Sequence, residues 1–178
     1  MYLKGSSRYS FAVPQPPSHS LQRSVEYISG YLGLGMVKQA REELAKIPSS
    51  DRSAPAARDA ELAILYAGEA WRELERVARS YTKTDPGQIQ GWLSLAFAKR
   101  RTDGVAAAKE ILLGLDSRFG GANAILHFNL ACYHCLLGET EKSIMRLRTA
   151  LQMDANLHAI AAEDEDLKPL WPMIAELR

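Results

Sequence analysis

From Leu21 onward, apolar residues recur every three or four positions. That interval places them on one side of a 3.6-residue helix. Short Gly, Pro and Asp interruptions divide the pattern into segments of helix length. It predicts helices over 22–33, 36–47, 55–67, 70–83, 88–101, 103–117, 123–137 and 140–153, with a last one over 167–177. No stretch sustains the period-two alternation of β-branched residues that marks a strand, so the expected class is all-α.

Residues 1–20 break this pattern. Ser6, Ser7, Ser10, Ser18 and Ser20 alternate with Pro14, Pro16 and Pro17. Proline removes backbone donors and favours extended polyproline conformations, so a tail is expected here rather than a helix. Tyr9, Phe11 and Val13 alternate just before the prolines. The segment reads either as a loose terminus or as a docking strand.

The helices themselves repeat. Ala40, Leu74, Ala108 and Ser143 stand 34, 34 and 35 residues apart. Four positions after each come Leu44, Ala78, Leu112 and Leu147, and three further on come Ile47, Tyr81, Leu115 and Ala150. A spacing kept in three columns marks a repeat of one supersecondary unit. A single helix hairpin cannot bury its own apolar stripe, whereas stacked hairpins bury a continuous core.

The period and its composition resemble the tetratricopeptide repeat (TPR) family, whose pattern is W-x2-L-G-x2-Y…A-x3-F…P over 34 residues. Trp92, Leu95, Ala96, Ala108, Leu112 and Leu115 carry the resemblance in the third copy. In the fourth it rests on Phe128-Asn129-Leu130-Ala131, Gly138, Leu147 and the closing Met153-Asp154-Ala155-Asn156. The second copy closes with Thr84-Asp85-Pro86, and the first carries Tyr27, Tyr31, Gly35, Ala40 and Leu44. Departures are Glu61 and Leu74 in copy two, Lys99 and His134 at the usual Tyr position, and an early end of copy one at Pro48.

The resemblance implies a right-handed α-α superhelix of about four TPR-type helical hairpins. The repeats fall near 21–54, 55–88, 89–122 and 124–157, and a C-terminal capping helix lies within 158–178. Gly35 and Gly138 are expected in left-handed turns between paired helices, with Asp103-Gly104 marking the turn in copy three. Asp166 is the expected N-cap of the last helix, whose stripe Leu170, Trp171, Ile174 and Leu177 is expected to cover copy four near Leu147 and Leu151.

In the family, the first helix of each pair lines a concave groove that holds a peptide or helix of another protein. The resemblance places Ala56, Asp59, Ala63, Tyr66 and Ala67 there in copy two. Copy three contributes Gln90, Leu93, Phe97, Arg100 and Arg101, and copy four Ile125, Phe128, Cys132, Cys135 and Leu136. Copy one offers Gln22, Val25, Ser29, Leu32 and Gly33. The candidate partner-binding set is Asp59, Tyr66, Leu93, Phe97, Arg100, Arg101, Ile125, Phe128, Cys132, Cys135 and Leu136. Aromatic and aliphatic anchors there supply most of the affinity, and the arginines suit carboxylates. Chaperone-binding members carry a basic residue and an asparagine at two first-repeat positions that are Val25 and Ser29 here, which disfavours an acidic chaperone tail.

Composition narrows the rest. The formal net charge is +1, so no basic excess points to nucleic acid or an anionic membrane. No apolar run approaches the roughly 20 residues of a membrane-spanning helix, and membrane insertion is not expected. Residues 1–20 lack the continuous apolar core of a secretory signal. The two cysteines, Cys132 and Cys135, make no disulfide scaffold, and a reducing cytoplasm is expected. They fall mid-helix without nearby strands or a second C-x-x-C, unlike redox or structural-zinc pairs. The acidic run Glu163–Asp166 lacks calcium-loop spacing. No phosphate loop, dinucleotide fingerprint or nucleophile elbow occurs.

The expected protein is therefore a non-enzymatic adaptor or scaffold without cofactor, metal site or catalytic residue, whose partner is another protein or peptide. A chaperone-like protein shielding a client is the alternative. Self-association through Trp71, Tyr81 or the helical ends, and metal or redox chemistry at Cys132 and Cys135, are further readings.

Overall fold

Each interval of the hydrophobic pattern up to residue 153 yields a helix packed against its neighbours in sequence. The computed structural model describes residues 19–177, and no strand occurs among them. Its first six helices are α1 (His19–Gly33), α2 (Val37–Lys46), α3 (Pro55–Ala67), α4 (Trp71–Thr84), α5 (Ile89–Thr102) and α6 (Val105–Leu113). A short α7 (Asp116–Phe119) and a 3₁₀ turn (Gly120–Ala122) lead into α8 (Ala124–Leu136) and α9 (Thr140–Met153). The chain closes with α10 (Leu157–Ala161), a 3₁₀ segment (Glu165–Leu170) and α11 (Trp171–Ile174). No helix among the described residues is long and apolar enough to cross a membrane.

The three repeating columns lie in the core. Ala40, Leu74, Ala108 and Ser143 are all fully buried, as are Ala78, Leu112 and Leu147, while Leu44 is half-buried. Ile47, Tyr81, Leu115 and Ala150 are buried too. Small residues in the first column let the paired helices close up, and Ser143 satisfies its hydroxyl by donating to the Ala131 carbonyl at 2.7 Å. The buried side chains form three groups in chain order. One lies under α1–α3, one under α3–α5, and the largest runs from α5 to the C-terminus. α1 packs on α2 and α3, α3 on α4 and α5, and α8 on α6 and α9. Burial is thus shared between adjacent pairs rather than gathered in one central core.

The turns inside the pairs obey the same period. Gly35, Gly104 and Gly138 have φ of 70°, 97° and 73°. The second pair breaks the glycine rule, because its left-handed residue is Glu69, at φ 52°. Gly68 beside it serves close approach instead. A Cβ there would meet the Ile64 carbonyl and the Val37 side chain at 3.3 Å.

Three boundaries differ from expectation. α1 begins at His19, so the helix reaches into the stretch assigned to a tail ending at residue 20, and the docking strand expected around Tyr9, Phe11 and Val13 lies outside the described residues. The helix expected over 103–117 ends at Leu113. Asp116 then accepts from both terminal nitrogens of Arg146, at 2.8 and 2.6 Å, and His127 Nε2 meets the Gly120 carbonyl at 2.8 Å, which winds residues 116–122 into short turns. Arg146 holds the Asp116 carboxyl below the ordinary carboxylate range. The C-terminal helix expected over 167–177 is divided into the 3₁₀ segment Glu165–Leu170 and the four-residue α11. Its cap is Asp164 rather than Asp166, since Asp164 Oδ1 accepts from the Asp166 backbone N–H at 2.9 Å.

Candidate functional site

The face built by α3, α5 and α8 collects most of the expected partner-binding residues, but in two different states. Its C-terminal part is covered by the chain itself. The 3₁₀ segment packs on α8, and Leu170, Ile174 and Leu177 of the predicted stripe join the same buried group as Leu147 and Leu151, with Leu167 added to them and Trp171 only partly buried against it. Arg100 reaches from α5 to this segment and donates to both carboxylate oxygens of Asp166. Cys132 donates its thiol proton to Asp164 Oδ2 at 3.8 Å, and Trp171 Nε1 donates to the Asp164 carbonyl at 3.2 Å.

Three expected contact residues are therefore corrected. Phe128 and Cys132 are only 6 % and 3 % exposed, and Arg100 is committed to Asp166. Sequence reasoning missed this because the covering contacts join residues 32 and 66 positions apart. Periodicity reads no such separation. The run Glu163-Asp164-Glu165-Asp166, which reads as a solvated helix start, supplies two of the covering contacts.

Burial, reinforced by Asp164 and Asp166, pushes the Cys132 thiol far above its ordinary range, and burial also raises Cys135. Such thiols are poor nucleophiles. Donor atoms of Cys132, Asp164 and Asp166 lie within 4.8 Å of one another. Each already has a protein partner, since Asp166 is held by Arg100 and Asp164 accepts from Cys132 and from the Asp166 backbone.

The other part of the face is open. Tyr66, Gln90, Leu93, Ser94, Phe97, Ile125 and Asn129 line a hollow of ≈ 200 Å³. Tyr66 and Ile125 are 50 % and 43 % exposed, and Leu93 and Phe97 are half-buried. The rings are locked together, with Tyr66 and Phe97 centroids 4.6 Å apart and Trp71 within 5.9 Å of Tyr66 and 5.7 Å of Phe97. Arg101 stacks over Trp71 at 5.1 Å and over Phe97 at 5.6 Å. Trp71, which the sequence suggests only for self-association, lines a neighbouring hollow with Arg72, Glu75, Arg101, Thr102 and Asp103, and Arg101 meets the first hollow through its contact with Phe97. Ser94 and Asn129 also line it, although neither belongs to the five expected positions per repeat.

The remaining expected residues are dispersed. Leu136 is exposed at the far end of α8, and Cys135 is half-buried. Asp59 turns toward α4. Burial raises its carboxyl above the ordinary range, and burial with Asp59 and Asp85 pushes the Tyr81 hydroxyl up to about 12. The two groups are neighbours, yet neither Asp59 Oδ1 nor Tyr81 Oη meets hydrogen-bond geometry.

This arrangement offers shape, aromatic surface and a fixed positive charge. No family model, curated protein or solved structure matches the chain, so the geometry carries the functional reading.

Proposed function

We propose that the protein is an interaction module of TPR type, an adaptor or scaffold whose stacked hairpins form a superhelix with a trough along α3, α5 and α8. A segment of another polypeptide lies in that trough. The observation that carries this reading is the open hollow with its clustered rings. Tyr66, Leu93, Phe97 and Ile125 present apolar surface that no element among the described residues covers, while the adjoining stretch of the same face is closed by the chain's own C-terminal segment. A rigid aromatic cluster loses little conformational entropy when it anchors a guest chain, which suits a binding surface.

The test compares wild-type protein with a Phe97→Ala/Ile125→Ser variant in affinity capture. A Phe128→Ala change is unsuitable, because Phe128 is buried and its loss acts on folding. The variant is expected to keep its helical circular dichroism and to lose the captured protein by tenfold or more. Undiminished capture by a folded variant contradicts the assignment of the trough.

A further inference from the structure

The exposed cation beside the hollow, Arg101, has ring contacts but no ionic partner among the described residues. Arg101 sits over the rings of Trp71 and Phe97, 5.1 and 5.6 Å from their centroids, and is itself exposed. No ion pair or hydrogen bond to its guanidinium occurs among the described residues. Its neighbour Arg100 shows the contrast, because its guanidinium is taken by Asp166 from the C-terminal segment. One helix end therefore carries two adjacent guanidinium groups, one paired within the chain and the other exposed over aromatic rings. Stacking fixes the planar fork without satisfying it, which prepares it for two parallel hydrogen bonds to a carboxylate.

Resting on the trough reading above, the geometry points to a partner segment with two features: a large apolar side chain for the hollow and an acidic side chain for Arg101. Their spacing follows from α5. Phe97 lies at the inner edge of the hollow and Leu93 further in, about 6 and 12 Å along the helix axis from Arg101 at 1.5 Å per residue. An extended guest whose acidic–apolar stretch runs alongside α5 advances about 3.3 Å per residue, so acid and anchor stand about two to four residues apart. The side-chain amides of Gln90 and Asn129, which make no hydrogen bond within the described chain, line the hollow where the guest backbone passes. The occupant is thus a short acidic–apolar segment of another protein.

The experiment uses the full chain and a set of fluorescein-labelled 12-residue peptides of Gly, Ser and Gln, each with one Phe and one Glu. The pair is set from one to seven residues apart, and Gln replaces Glu in matched controls. Fluorescence polarisation is expected to show binding that peaks at spacings of two to four, falls at least tenfold in the Gln controls, and weakens with added salt. Arg101→Gln is expected to lower affinity to the level of the Gln controls. Arg148→Gln, at an exposed position of α9, is expected to leave it unchanged, with circular dichroism confirming both folds. If Phe peptides bind through the hollow equally with Glu or Gln, or at every spacing, the acidic pairing is overturned while the trough stands. If binding is insensitive to both Arg101→Gln and Phe97→Ala, or no peptide binds up to about 1 mM, the trough reading fails with it. Light scattering that shows two copies covering the hollow also overturns the proposal.

Discussion

Replacing Leu167 with alanine tests whether the C-terminal segment is an integral part of the last hairpin or a loosely laid strap. Leu167 is fully buried, in one group with Leu147, Leu151, Leu170 and Ile174. A Leu→Ala change at such a site costs the lost transfer energy plus the cavity left behind, about 3 kcal/mol with a range of roughly 2.7–5. For a chain of this size, that shifts the thermal midpoint by roughly 6–12 °C if unfolding is cooperative. Urea titration followed by circular dichroism measures the cost. A control at Leu34, which is 75 % exposed, is expected to stay within about 0.5 kcal/mol. The second readout is local. In a Cys135→Ser background, the buried Cys132 is expected to react with a thiol reagent much faster once Leu167→Ala loosens its cover. A cost under about 1 kcal/mol together with an unchanged Cys132 rate refutes the reasoning, because a fully packed leucine cannot be removed so cheaply. Summed over Leu167, Leu170, Ile174 and Leu177, burial at about 1.5–3 kcal/mol per side chain reaches roughly 6–12 kcal/mol. A weakly binding guest does not supply that much, so the segment acts as a fixed end cap.

Three further outcomes are expected. Glu69→Gly relieves a left-handed non-glycine residue and is expected to stabilise the protein by about 1 kcal/mol, read from the urea midpoint. Asp59→Asn is expected to stabilise near neutral pH and to lose that effect below the ordinary carboxylate value of 3.8. The sign follows from its raised carboxyl: the folded state favours the protonated form, so the penalty is absent at low pH and grows as pH rises. A pair of denaturation curves at pH 7 and pH 3.5 decides it. Glu139 shows the opposite sign. Lys109, then His134, hold its carboxyl down at about 2, so its stabilisation is full above 4.5 and fades as pH falls toward 2. In Glu139→Gln, the stability profile between those values is expected to be flatter than in wild type.

Much of the architecture was legible because it is periodic. The burial of Ala40, Leu74, Ala108 and Ser143 follows from a 34-residue spacing that needs no tertiary knowledge. Gly35 and Gly138 announced their turns through the one residue type that adopts positive φ freely. Glu69 did not, since its left-handed backbone is imposed by the surrounding hairpin rather than by its own chemistry. The candidate site was legible in part. Tyr66, Leu93, Phe97, Arg101 and Ile125 gather on one face because their positions repeat with the helices. Arg100, Phe128 and Cys132 were misread because a non-repeating segment lies on them, held by the Arg100–Asp166 pair, the Cys132–Asp164 hydrogen bond and buried aliphatic side chains. The breaks after Leu113 and Leu170 were equally hidden. The first accompanies the reach of Arg146 across 30 residues to Asp116, a contact no local pattern encodes.

The most direct measurement of the central claim is site-specific photo-cross-linking of the intact chain. A benzophenone side chain is placed at Ile125, in the hollow, and in a second protein at Arg76, on an exposed face of α4. The account predicts that the Ile125 probe captures a discrete partner, mapped by mass spectrometry to one segment, and that Phe97→Ala abolishes this adduct. Equal capture from both positions, or partner adducts from Arg76 alone, would contradict it.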